Sequence, residues 1–327
     1  MAERSLWTAL HAQIHITLRS RRLLPQNQRL LVAVSGGQDS LCLIKLLLDL
    51  QPKWGWQLAI GHCDHRWRDD SAANAEAVHQ LAQSWNLPFY CQTASQISTS
   101  EAEARHWRYE ALATIAQSHS YTAVVTGHTA SDRAETLLHN LMRGSGMDGL
   151  QALGWQRELV PGVSLVRPFL EVTRVETAAF CQHLHLCVWD DATNHDLKYA
   201  RNRIRQELLP YLQTHFNPQV ESALARTAEL LQADVDYLET TATTLRQHAQ
   251  HPTLPQVNRR LLQQAPLALQ RRVMRQFLEQ VLSHPANFAE IEKALLLITS
   301  PNRSRTDPFP GGEVAEVQGE WIWLCPP

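Results

Sequence analysis

A run of apolar β-formers, Leu30 to Val34, leads straight into Ser35-Gly36-Gly37-Gln38-Asp39-Ser40, and an apolar segment of helical length, Asp39 to Leu50, follows. Strand, glycine turn and helix in that order open a nucleotide-binding α/β unit. Two adjacent glycines let main-chain N–H groups converge on an anion without Cβ interference. The helix aims its positive N-terminus at the same spot, and Ser35 and Ser40 add hydroxyl donors. An acid at Asp39 repels a phosphate, so its presence points to a divalent cation on the metal side of a polyphosphate. An ordinary capped strand-to-helix turn explains a lone Gly-Gly but not the whole string. The string is not a Walker A loop, because no Gly-Lys-Ser or Gly-Lys-Thr occurs in the chain.

The alternation continues downstream. Gln57 to His62, Phe89 to Thr93 and Tyr121 to Thr126 read as strands, and Ala72 to Trp85, Glu101 to His119 and Ser131 to Met142 as helices. An amphipathic helix over 5–23 precedes the series. Strands separated by helices of this length predict a parallel sheet covered on both faces. Ligands of such sheets bind beyond the carboxyl ends of the strands, where Ser35, His62 and Gly127 begin the turns. After Gly149 the pattern loosens, with one more strand at Val163 to Val166 and a helix at Arg174 to His185. A change to Ala, Leu, Glu and Gln at helical spacing predicts a domain boundary near Asn217-Pro218. The expected organisation is an α/β catalytic domain over 1–216 and a smaller, mostly helical domain over 217–327. The latter holds two helices within 266–299 and ends in a β-hairpin, Glu313 to Gln318 and Trp321 to Leu324.

A chain of 327 residues suits two domains. Its formal charge of −2 excludes a nucleic-acid binder that works by bulk charge, but not a local basic patch. Only Lys45, Lys53, Lys198 and Lys293 are lysines, so nearly all the basic residues are arginines, whose planar fork suits phosphate. Codon bias explains the same skew equally well. Six cysteines without a C-x-x-C pair fit a reducing, cytoplasmic compartment. No apolar run is long enough to span a membrane.

The Ser35–Ser40 string resembles the pyrophosphate loop of the N-type ATP pyrophosphatases, enzymes that split ATP into AMP and pyrophosphate. Other segments carry the resemblance to tRNA(Ile)-lysidine synthetases in particular. His62-Cys63-Asp64-His65-Arg66-Trp67-Arg68 is similar to their H-x-x-H-x-x-R segment. Glu103-Ala104-Arg105-His106-Trp107-Arg108-Tyr109 is similar to E-x-A-R-x-x-R-Y, the leading acid being Glu101 or Glu103. Gly127-His128-Thr129-Ala130-Ser131-Asp132-Arg133-Ala134-Glu135-Thr136 is similar to G-H-x-x-D-D-x-x-E-T. Arg143-Gly144-Ser145-Gly146, Arg167-Pro168 and Arg201-Asn202-Arg203-Ile204-Arg205 follow in family order over about the first 210 residues. One departure stands out: Ser131 replaces the first acid of the D-D pair. The G-x-G-x-x-G at Gly144 to Gly149 is not a dinucleotide fingerprint, because a helix precedes it.

The resemblance implies ATP and Mg²⁺ as cofactors, and tRNA for isoleucine with a CAU anticodon and free L-lysine as partners. It implies no membrane and leaves room for a homodimer. The reaction implied is ligation of lysine to C2 of the wobble cytidine through an adenylated intermediate. Ser35, Gly36, Gly37, Gln38, Asp39, Ser40, His62 and His65 would bind ATP. Asp39, Asp132, Arg108 and His128 would be catalytic, and Asp39, Asp132 and Glu135 would hold the metal. Arg68, Arg105, Arg143, Arg201, Arg203 and Arg205 would bind tRNA. Read on their own, His62 and His65 equally suit a surface pair, and Arg105 and Arg108 a solvated face paired with Glu101 and Glu103. Lys198 to Arg205 suits phosphate contact or a solvated helix. Three other readings compete. A tRNA thiolase of the same superfamily would use Cys63, which lacks a paired cysteine. An amidating ligase would need a glutaminase domain, and none is visible. A sensor that binds ATP without chemistry would not need the carboxylates.

Overall fold

The computed structural model describes residues 7–66, 70–97, 100–189 and 196–325. Helix α1 (Ala9–Ser20) precedes strand β1 (Arg29–Ala33) and helix α2 (Gln38–Trp54). Then come β2 (Gln57–Asp64), α3 (Ser71–Ser84), β3 (Phe89–Thr93), α4 (Glu101–Ser118), β4 (Ala123–Val125) and α5 (Ala130–Met142). A short α6 (Met147–Leu150) leads to β5 (Gln156–Val160), β6 (Val163–Val166) and α7 (Arg174–His183). The six strands form one sheet in the order β3-β2-β1-β4-β6-β5. All its pairings are parallel except the hairpin of β5 with β6.

The α/β expectation is met, and β1 shows why. Leu30, Leu31 and Val32 are fully buried because helices cover both faces of the sheet, so the strand reads as a continuous apolar run. Leu30 and Val32 join the core beneath α1, α2 and α7, and Leu31 joins Leu112 and Ile115 of α4 on the other face. Each such side chain stabilises the fold by about 1.5–3 kcal/mol on burial. The strand order reverses at β1, with β2 on one side and β4 on the other. That switch point, where sheets of this kind take their ligands, lies at the turns after β1 and β4.

Two elements differ from the expectation. Strand β5 was not foreseen: its Gln156-Arg157-Glu158 start is polar and exposed, as suits an edge strand. Helix α1 is shorter than 5–23; Thr8 caps it, and residues 1–6 lie outside the described ones.

The chain divides into two compact units, Met1–Leu231 and Gln232–Pro327, rather than near Asn217-Pro218. After α8 (Ala200–Arg203), a π-helical turn (Ile204–Leu208) and α9 (Leu209–His215), the division falls inside the long α10 (Val220–Ala249). The first turns of α10 belong to the first unit because Val220 and Leu224 pack on Leu138, Ile204 and Leu209, and Glu229 bonds to Arg133 and Trp155.

The second unit contains β7 (Gln256–Asn258), α11 (Arg259–Gln263), α12 (Leu267–Leu278), α13 (Phe288–Leu295), β8 (Val314–Gln318) and β9 (Trp321–Cys325). Its sheet is antiparallel in the order β7-β9-β8, which confirms the hairpin and adds a strand. Its core includes Val273, Met274, Phe277, Phe309 and Ile322. Arg271 pairs with Glu292, and Arg272 and Arg275 with Glu239, so these arginines are matched by the unit's own acids. Among the described residues no helix is long and apolar enough to cross a membrane.

Candidate active site

The turn after β1 and the turn after β4 meet at the switch point. Gly127 has to be glycine there, because a Cβ would lie 2.9 Å from the main-chain oxygen of Asp39. Gly36 has φ +88°, and a Cβ on it would lie 2.3 Å from Oδ1 of Asn74. Asn74 Nδ2 donates to the Ser35 carbonyl at 3.0 Å, and the Trp189 N–H donates to the Gly36 carbonyl at 3.0 Å. The loop is therefore clamped from two sides. Ser40 Oγ accepts from the Ser35 N–H at 3.1 Å and donates to the Gly37 carbonyl at 2.9 Å. The first amides of α2, those of Gln38, Asp39 and Ser40, have no carbonyl one turn back within the helix. Such a loop suits an anion, and Ser35 is exposed at its lip. The Gln38 side chain faces away from the cradle, donating to the Arg174 carbonyl at 2.9 Å and to Thr177 Oγ1 at 3.1 Å.

Asp39 and Asp132 share one arginine. Arg174 Nε lies 3.3 Å from Asp39 Oδ2, and its Nη2 lies 3.1 Å from Asp132 Oδ1. Thr177 Oγ1 donates to Asp39 Oδ1. Asp132 is N3 of α5, and its Oδ2 accepts the Thr129 N–H at 2.7 Å in a capping box. Burial pushes the Asp39 carboxyl above the usual range; Arg174 opposes this and the neighbouring Asp132 adds to it. Burial also disfavours the charge on Asp132, but Arg174, His128 and the Thr129 donors outweigh it and hold its carboxyl below the usual range. Glu135, one turn further along α5, takes a two-pronged bond from Arg205, Nε to Oε1 at 2.7 Å and Nη2 to Oε2 at 2.8 Å. Burial nevertheless raises its carboxyl, with Asp132 adding to Arg205's incomplete compensation.

Among the described residues, no group of three or more His, Cys, Asp or Glu side chains could hold a metal ion. A Mg²⁺ ion commonly takes one or two carboxylates, with phosphate oxygens and water completing its shell. Asp39 and Asp132, facing one arginine beside the cradle, fit that pattern. Asp39 fits it best; Asp132, bonded to Arg174 and Thr129, and Glu135, bonded at both oxygens by Arg205, would each have to exchange a protein partner for the ion.

His62 is buried and its Nδ1 lies 2.8 Å from the Val34 carbonyl, bracing the end of β1. His65 packs edge-on against Trp107 at 4.7 Å, and burial together with Arg108 lowers its pKa to about 4. The desolvated surroundings of His128 pull its pKa well below 6.5 despite Asp132; its Nδ1 lies 2.9 Å from Thr126 Oγ1. Both rings are neutral at neutral pH. Burial pushes the Cys63 thiol up to about 12, which makes it a poor nucleophile.

The arginines assigned to tRNA separate in the structure. Arg205 sits with the carboxylates, not on an open face. Arg201 bonds to Glu101 at 2.9 Å. Arg203 is exposed and donates to the Leu197 carbonyl, Arg143 is exposed at the C-cap of α5, and Arg105 packs on Tyr109. Arg68 lies outside the described residues. Sequence reasoning missed Arg174: it opens α7, far from the glycine turn, and carries no motif of its own. Ser131 is accounted for. Its Oγ donates to Glu221 Oε2 at 2.9 Å and accepts the Arg174 N–H at 3.2 Å. The position ties three helices together, and an acid there would face Glu221.

The family model described as the PP-loop domain matches residues 8–212. A protein of Nostoc sp. (strain PCC 7120) with the name tRNA(Ile)-lysidine synthase is 63% identical over 98% of this chain and 97% of its own length. One of Synechocystis sp. (strain PCC 6803) with the same name is 51% identical over 97% of each chain. A chloroplastic one of Pyropia yezoensis is 38% identical over 96% of this chain and 95% of its own. Among solved structures, the U34-tRNA thiolase NcsA of Methanococcus maripaludis, at 14% identity, shares the fold with a TM-score of 0.58, over 68% of this chain and 78% of its own.

Proposed function

The chain belongs to the PP-loop family of tRNA(Ile)-lysidine synthases, and we propose that its cradle and carboxylate–arginine site carry out that family's reaction. It is a ligase that uses ATP and forms lysidine in the isoleucine tRNA. The observation that carries the site assignment is Arg174 bridging Asp39 of the phosphate loop and Asp132 of α5. It brings the ATP end and the amine end of the reaction within one side chain of each other.

The substrates in our reading are the wobble cytidine of a CAU anticodon, ATP and free L-lysine. The cytosine C2 oxygen attacks the α-phosphorus and pyrophosphate leaves. The lysine ε-amine then attacks C2, and AMP departs with the former C2 oxygen. Amides and hydroxyls of residues 35–40 stabilise the charge on the departing pyrophosphate. Mg²⁺ held by Asp39 and Asp132 would neutralise phosphate-oxygen charge. Asp132 orients the amine and accepts its proton as the C–N bond forms, when the nitrogen is far more acidic than free lysine at about 10.4. Glu135 holds Arg205 in place beside Asp132, and Arg108 and neutral His128 face the reacting base. His62 supports the loop from beneath. The wobble base leaves the anticodon stack to enter. We place the reaction in the cytoplasm, where all six cysteines stay free as they are here. A homodimer is the assembly that sedimentation would test.

The deciding assay supplies α-labelled ATP, Mg²⁺, labelled lysine and an unmodified isoleucine tRNA transcript with a CAU anticodon. One AMP released per lysine transferred is the expected result. AMP release without lysine on the RNA would overturn the lysine reading and leave only the adenylation chemistry.

A further inference from the structure

Tyr109 of α4 is more than nine-tenths buried and is ringed by arginines. The guanidiniums of Arg105, Arg108 and Arg157 lie 5.7, 5.4 and 5.2 Å from its ring centroid. Arg167, also buried, lies beside the phenol oxygen. These four come from α4, from the edge strand β5 and from the end of β6. Elsewhere in this unit Arg21, Arg133, Arg174, Arg201 and Arg205 each face a carboxylate. Among the described residues, no carboxylate pairs with any of the four around Tyr109. Arg167 donates to the Gly154 carbonyl at 2.7 Å besides its contact with the phenol, and Arg157 donates to the Glu158 carbonyl at 3.0 Å. The buried Tyr109 hydroxyl and Arg167 Nε meet no partner in hydrogen-bond geometry.

Like charges gathered in a partly dry site repel one another, and the face of a tyrosine ring offsets only part of that cost. An anion offsets the rest. Guanidinium forks from several directions, with a phenol donor at the centre, match the oxygens of a phosphate. The group flanks the reaction site, since Arg105, Arg108 and Arg167 all bear on His128.

We propose that the arginine shell of Tyr109 binds one backbone phosphodiester of the RNA substrate, holding the strand while the target base enters. This rests on the reading of the substrate as tRNA. The RNA is favoured over ATP on two grounds: the nucleotide's phosphates have their own cradle at Ser35–Ser40, and Arg157 is exposed on an edge strand, within reach of a polymer. Tyr109 and Arg167 thereby join Arg105 as positioning residues, with Arg108 at the inner edge.

The test uses the full chain, an isoleucine tRNA transcript, and the variants Arg157→Gln and Tyr109→Phe. Wild-type protein that neither binds the transcript nor transfers lysine would overturn the tRNA reading itself, together with the proposal. Given wild-type binding, each variant should weaken RNA affinity by about tenfold. The slope of log affinity against log salt should become shallower by about 1 for Arg157→Gln and stay unchanged for Tyr109→Phe. The KM for ATP should not move. A raised KM for ATP with unchanged RNA affinity would assign the shell to the nucleotide and overturn the proposal, as would no change in either. Arg157 is exposed and Tyr109→Phe keeps the ring, so unfolding curves should match wild type for at least one variant.

Discussion

Arg205 holds Glu135 by both carboxylate oxygens, at 2.7 and 2.8 Å. The acid is almost fully buried and the guanidinium about one-quarter exposed. Removing one partner strands the other. Glu135→Gln should therefore lower stability by about 3 kcal/mol in urea unfolding and should also depress lysine transfer. Arg205→Lys keeps the charge but loses the fork, and should recover part of the stability and little of the activity.

Asp132 is held to Arg174 at 3.1 Å and to the Thr129 N–H at 2.7 Å. Asp132→Asn keeps the shape and the capping acceptor but loses the charge. Lysine transfer should fall by about 10²-fold or more, with RNA affinity little changed. Single-turnover assays reading AMP release and lysine transfer separately will check this. Full turnover would remove the orienting, proton-accepting and metal-holding roles together.

Ser131 donates to Glu221 at 2.9 Å. Ser131→Asp restores the paired acids of the family pattern but sets two carboxylates face to face in a buried spot. The expected loss is about 1–3 kcal/mol of stability. Adding Glu221→Gln should return most of it, and a double-mutant cycle measures the coupling.

Glu229 accepts from Arg133 at 2.6 Å, Trp155 at 2.7 Å and Arg21 at 2.7 Å. Burial alone would raise its carboxyl, but these donors hold it below 4.5. A lowered folded pKa contributes stability above the ordinary value, and this is lost as pH falls through the lowered one. The melting temperature of the wild type should drop as pH falls below about 4.5. Glu229→Gln should be less stable at pH 7 and show a flatter acid limb.

The sequence made most of the fold legible through local signals: β1 by its apolar run, the loop by Gly36-Gly37, and α5 by the helical pattern from Ser131 to Met142. Strand β5 was hidden because Gln156-Arg157-Glu158 is an exposed edge with no alternation to read. The unit boundary was hidden because α10 has no break in its composition where its packing partner changes. Glu135 and Arg205 were both picked out, yet in different roles, since a spacing of seventy residues says nothing about a bond between them.

What the sequence by itself determined is the chemistry available: an anion cradle, carboxylates at the turn after β4, and an excess of arginines, all expressed in segments short enough for local rules to act. Only the tertiary structure decided which arginine answers which acid. Arg174 and Arg205 are drawn to Asp39, Asp132 and Glu135, while Arg105, Arg108, Arg157 and Arg167 gather round Tyr109 with no acid among the described residues paired to them. The physical reason is that charge pairing acts over a few ångströms in space and is blind to distance along the chain.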